Sequence, residues 1–178
     1  MPITEFESLP GHGRLWVFPA SRALSDEHAA RLLGAVDDFL AQWSAHGAPL
    51  QAGRRLVEGR FLLVGVDVDA EAPSGCSIDA LVNRLQTLGA EMGITLTDHA
   101  PVWYRDSEGI HTVTRGEFRE LVREGVVSAS THVFDTSLTR VDQAMGGLEK
   151  PASETWHRRA FFKDTSPAES VAAAHEDS

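Results

Sequence analysis

The chain has 178 residues, with 16 Lys and Arg against 26 Asp and Glu, 42% hydrophobic residues and a single Cys. An apolar fraction of this size supports a packed core, in one domain or two small ones, and excludes a disordered or fibrous chain. The formal net charge of −10 argues against nucleic acid or an anionic membrane as partner, because Lys and Arg hold such surfaces.

Residues 1–13 hold no Lys or Arg and carry Pro2, Pro10, Gly11 and Gly13 without periodicity, so they read as a loose leader. Leu15, Trp16, Val17 and Phe18 form an apolar run closed by Pro19, which suits a buried strand. Ser25 offers an N-cap, Asp26 and Glu27 put negative charge in the first turn, and Ala29, Leu32, Leu33, Val36, Phe39, Leu40 and Trp43 recur at helical spacing. The spacing predicts a helix ending near Ala45, His46 and Gly47, before Pro49. Residues 50–57, a Glu58-Gly59 turn and residues 60–69 read as an antiparallel hairpin. Pro73, Ser74 and Gly75 then break the chain. Ile78, Leu81, Val82, Leu85, Leu88 and Met92 carry a second helix to Gly93, and residues 94–97 give a fourth strand. Residues 14–99 thus spell β-α-β-β-α-β, a ferredoxin-like α+β body with an antiparallel sheet and its helices on one face.

Beyond residue 99 the signals shorten. Residues 102–105 and 110–113 suggest a second hairpin about the turn residues 106–109. Thr114 with Glu117 matches a capping box, Phe118, Leu121 and Val122 supply an apolar stripe, and Gly125 ends this short helix. Another strand follows at residues 131–134, and residues 153–162 form a last helix that presents Trp156 and Phe161 for docking. Residues 100–163 therefore read as a small hairpin-helix-strand unit with a docking helix. Its order of Trp103-Tyr104, Gly109, Phe118, Leu121 and Gly125 resembles that of GYF-type modules. Residues 164–178 lack any Lys or Arg and read as a disordered acidic tail.

One Cys cannot close an internal disulfide, no N-terminal stretch has the order of a signal peptide, and no apolar run nears the roughly 20 residues that span a bilayer. A soluble cytoplasmic protein is the expectation. The segments FLAQWSAHGAPLQA, SGCSIDALVNRL and SETWHRRAFF, at these relative positions, resemble a family of uncharacterised bacterial proteins that automated naming often calls "ABC transporter ATPase". The resemblance covers residues 14–162. That label implies a phosphate loop in which Gly-Lys-Ser/Thr opens a helix. The lysines here are Lys150 and Lys163, neither preceded by glycine, so the ATPase reading is rejected and the resemblance implies homology without mechanism.

In a ferredoxin-like topology the end of the first helix, the start of the second and the end of the fourth strand meet at one edge of the sheet. That places His46, Cys76 and the Asp98-His99 pair together. Cys76 opens a helix, where free amides and the positive end of the dipole favour a thiolate. His46, at the C-terminal end of a helix, would have its imidazolium form favoured. With Asp98 or Asp79 orienting the ring, this is the logic of a cysteine nucleophile with its base. The same segment also admits an anion-binding helix start built from the amides of Gly75, Cys76 and Ser77. In the plainer alternative Cys76 packs as a small apolar residue while Ser74 or Ser77 caps the helix. The ligand-binding roles expected here fall to Ser74, Gly75, Ser77 and His99. A zinc site from Cys76, His46 and His99 would have three ligands plus water, but no His-Glu-x-x-His or paired Cys-x-x-Cys motif supports it, and no cofactor is expected.

Trp16, Trp43, Trp103 and Trp156 are candidates for a pocket lining or for core. Arg54, Arg55 and Arg60 can hold an anion or deter edge pairing of strands, and His157, Arg158 and Arg159 form a basic cluster beside Trp156. The lack of any complete catalytic motif makes a protein that binds a small molecule or a protein partner the leading expectation. A thiol-dependent enzyme or redox sensor using Cys76 with His46 is the alternative, and a homodimer through an exposed sheet face a third.

Overall fold

A computed structural model describes residues 3–163. In chain order its elements are β1 (Arg14–Pro19), α1 (Asp26–Gln42), β2 (Ser44–Ala45), β3 (Ala48–Pro49), β4 (Ala52–Val57), β5 (Phe61–Val66), α2 (Gly75–Met92), β6 (Val102–Asp106), β7 (Gly109–Val113), α3 (Arg115–Arg123), β8 (His132–Phe134), α4 (Val141–Met145), β9 (Glu149–Pro151) and α5 (His157–Phe161). Several antiparallel sheets with separate helices make this an α+β protein. Two compact units divide it: residues 3–99 with 136–147, and residues 100–135 with 148–163. The acidic stretch expected to be disordered lies outside the described residues. Among the described residues no helix is long and apolar enough to cross a membrane.

The first unit is built on a three-stranded sheet in the order β1-β5-β4. Both outer strands run antiparallel to β5, with Arg14 opposite Val66 and Val57 opposite Phe61. Every residue of β5 is buried, which accounts for its unbroken apolar run. Ser25 Oγ accepts the His28 amide at 3.1 Å to start α1, which then buries Leu32, Val36 and Leu40. α2 buries Leu81, Leu85, Leu88 and Met92 in the same core.

Residues 94–97, expected as a fourth strand, are irregular. Their apolar side chains are explained by burial of Ile94 and Leu96 rather than by a ladder. The Ile94 amide turns back to the Gly89 carbonyl at 2.9 Å, and Thr95 exchanges hydrogen bonds with Ser21. The outer edge of β1 is met instead by residues returning after the second unit's first half. The Leu15 amide donates to the Thr139 carbonyl at 2.9 Å, Arg14 bridges Arg140, and the Val141 amide donates to the Gly13 carbonyl at 2.9 Å. Residues 136–147, expected to belong with the C-terminal unit, are thereby part of the first.

The supposed leader also has a place. Phe6 and Leu9 are buried, and the Thr4 amide donates to the Ala52 carbonyl at 2.8 Å. Gly89 is a close backbone approach on α2, since a Cβ there would lie 2.6 Å from the Ile94 carbonyl oxygen. Gly89→Ala is expected to destabilise the first unit by about 1–3 kcal/mol, through overpacking. Gly34→Ala, on an open face of α1, should stabilise it by up to about 1 kcal/mol. Thermal denaturation of the two variants checks the opposite signs.

The second unit has a four-stranded antiparallel sheet in the order β7-β6-β8-β9. The capping box at Thr114 closes as the sequence predicts: Thr114 Oγ1 accepts the Glu117 amide at 3.0 Å and Glu117 Oε1 accepts the Thr114 amide at 2.8 Å. α3 then drops Phe118 into a core with Val102, Tyr104, Val133 and Phe162.

Candidate functional site

Two helical stripes face each other in the first unit. Ala35, Asp38, Phe39 and Gln42 come from successive turns of α1, and Cys76, Ala80 and Arg84 stand one turn apart on α2. They wall a cleft of about 540 Å³, closed at one end by Ser44, His46 and Ser74. Trp43 forms its floor. The indole is 4% exposed and packs edge-on against Trp16 at 5.9 Å and tilted against Phe39 at 5.7 Å. Its Nε1–H donates to the Ser77 carbonyl at 2.8 Å, tying the first turn of α2 to the residue that ends α1.

His46 reaches the cleft by a route the helical spacing did not show. α1 stops at Gln42, and Trp43 is already extended. β2 and β3 pair Ser44 with Pro49 and Ala45 with Ala48, leaving His46 and Gly47 as a two-residue turn. Both turn residues have positive φ, 52° and 79°, as a type I′ hairpin requires. His46 is therefore a turn residue rather than the end of a helix, and the helix-dipole argument for its imidazolium form falls. The His46-Gly47 pair, whose residues tolerate positive φ, was the available signal.

Cys76 is exposed, so it does not pack as a small apolar residue. The capping half of that alternative does hold. Ser74 Oγ accepts the Ser77 amide at 3.1 Å, Ser77 Oγ accepts the Ser74 amide at 2.7 Å and donates to the Ser74 carbonyl at 2.7 Å. Both hydroxyls are thus committed to the cap, although Ser74 and Ser77 line the cleft. Gly75, Asp79, Asp98 and His99 are not among its lining residues. His99 Nε2 lies 2.7 Å from the Val17 carbonyl oxygen and lines a separate groove of about 370 Å³ along β1. Instead of meeting Cys76 in the cleft, His99 shares its groove with Val82 of α2. The sequence-based constellation divides accordingly: Cys76, His46, Ser74 and Ser77 line the cleft, while Gly75, Asp79 and His99 do not line it. Among the described residues no group of three or more His, Cys, Asp or Glu is placed to hold a metal ion.

Arg84, Asp38 and the small Ala80 were missed from the sequence, though the four-residue spacing from Cys76 along α2 could have found two of them. Asp38 is the one carboxylate lining the cleft among the described residues. Arg84 is the arginine of the first unit whose side chain, among the described residues, has no ion pair, hydrogen bond or ring contact. Arg54 and Arg55, by contrast, are neutralised by Asp37 and Glu7, with Arg54 bidentate at 2.7 and 2.8 Å, so they do not offer an anion site. The cleft can therefore seat an apolar group on Phe39 and Trp43 while offering a guanidinium to an acidic end. Comparison of the chain with protein-family models, with curated proteins and with solved structures found no match. What fold and site define together is an α+β protein with a cleft of ligand size between two helices.

Proposed function

We propose that the chain is a cytoplasmic binding protein whose recognition site is the α1–α2 cleft, and that its ligand or partner segment combines an apolar group with a carboxylate. The observation that carries this reading is the unneutralised Arg84 beside an aromatic floor. Elsewhere in the first unit Arg31, Arg54, Arg55 and Arg140 are engaged by carboxylates, Arg22 by a carbonyl and Arg14 by a ring. The split arrangement of β1, α1 and β4 about β5 supports kinship with ferredoxin-like bodies. Membership of the family that the three segments resemble is part of the proposal, and two of those segments supply most of the cleft wall.

Phenylacetate is a suitable probe, with phenylacetamide as the uncharged control. Phenylacetate is expected to bind in the millimolar range, as befits a ligand of its size, and to shift resonances of residues lining the cleft. Ala80→Phe, which fills the cleft from an exposed position, should abolish those shifts, and Arg84→Gln should remove the preference over the amide. Equal binding by wild type and Ala80→Phe would refute the assignment.

A thiol-dependent enzyme or redox sensor is the second reading, favoured by the exposure of Cys76 in the cleft that His46 also lines. The rate of alkylation by iodoacetamide discriminates. A rate well above that of free cysteine, lowered by His46→Gln, supports the thiol reading, whereas a rate like that of free cysteine and intact phenylacetate binding by Cys76→Ala support the first.

A further inference from the structure

The cleft between α1 and α2 leaves unused the basic cluster beside Trp156. In the second unit Arg158, Arg159 and Lys163 line another cleft, of about 590 Å³, with Trp156 and Ser153. The other arginines of that unit are engaged. Arg105 is bidentate to Glu149 at 2.7 and 3.2 Å, Arg123 pairs with Glu120, Arg115 lies over Trp156 and Arg119 over Phe161. Among the described residues the side chains of Arg158, Arg159 and Lys163 have no ion pair, hydrogen bond or ring contact, and Glu154 is the one carboxylate lining their cleft. Three like charges thus line one concavity in a chain whose formal net charge is −10. Close like charges repel, and an anion bound among them would remove that cost.

The wall behind the cations is packed by aromatic rings. Trp156 stacks on His157 with ring centres 3.9 Å apart, and the Arg115 guanidinium lies 4.9 Å from its ring centre. His157 is buried, with its Nδ1 2.7 Å from Thr155 Oγ1. A carboxylate would bring one charge to three cations. A phosphate monoester brings a charge of about −1.5 to −2 and three acceptor oxygens at neutral pH, which the two guanidinium forks and an ammonium can share. A nucleic acid would extend its phosphates over a predominantly acidic protein.

We propose that the cleft lined by Arg158, Arg159 and Lys163 binds the phosphate group of a small phosphate monoester. Titration of the ¹⁵N-labelled full chain with O-phosphoserine tests this, with serine and glutamate as controls, at about 50 mM salt, where screening of exposed charge is moderate. Phosphoserine is expected to shift the amides of residues 153–163, with glutamate binding at least about tenfold more weakly. Arg158→Gln/Arg159→Gln should weaken phosphoserine binding by about tenfold or more, and Lys163→Gln by less, in spectra that otherwise stay dispersed. Shifts outside residues 153–163, equal affinity for glutamate, unchanged binding by the double variant, or no shift at all would each overturn the proposal.

Discussion

Trp43→Ala is expected to destabilise the first unit by about 3–5 kcal/mol, the range for emptying a buried aromatic site, and to abolish phenylacetate binding. The ring is 4% exposed, meets Trp16 and Phe39, and hydrogen-bonds the Ser77 carbonyl across 2.8 Å. One side chain therefore fills the base of the core and fastens α2 to the end of α1. Trp43→Phe separates the two roles. Phenylalanine keeps most of the apolar contact but cannot donate to Ser77, so the loss should fall to about 1–2 kcal/mol while the cleft loses its tie between helices. Urea denaturation, followed by resonances of the first unit, measures both. A loss under about 1 kcal/mol for Trp43→Ala would contradict the buried position of the ring.

The second large effect is a dependence on pH. His157 is 1% exposed, and its pKa is lowered to about 4. Burial is the main cause, Asp135 opposes it, and Arg115 adds to it. A histidine in the unfolded chain titrates near 6.5. Between that value and about 4 the unfolded state binds the proton and the folded state does not, so stability rises with pH across this window. The contribution is fully present above pH 6.5 and is lost progressively as the pH falls toward 4. It amounts to about 3 kcal/mol at full development. His157→Gln removes this titration. Chemical denaturation of the second unit at pH 7 and pH 4.5 should show a steep fall for the wild type and a shallower one for the variant. Parallel falls would mean that His157 is protonated in the folded protein.

Long periodic segments were legible from the sequence because their pattern and their burial agree. Ser25 and the stripe from Leu32 to Leu40, or the unbroken run of β5, each needed a single buried face or pair of faces. The errors lie where apolar residues are buried without forming the element they suggest. Ile94 and Leu96 pack as irregular chain because Gly89 admits the Ile94 carbonyl, and Phe6 and Leu9 dock a segment that has no periodicity. The expected meeting of the starting end of α2 with the chain after α1 is present, since both line one cleft. The expected place of residues 98 and 99 depended on strand pairing over long sequence separation. Neither the return of Thr139 to Leu15 nor the turn that places His46 leaves a periodic trace.

The closing of β1 by Thr139 and Arg140 also bears on the order of assembly. During synthesis the strand emerges early, but the residues that satisfy its outer edge follow only after the whole of residues 100–135. Until then a nascent chain presents an open strand edge, the kind of surface that recruits mispaired neighbours. A chain lacking residues from Thr139 onward should thus aggregate more readily than the full chain, which light scattering of the two measures.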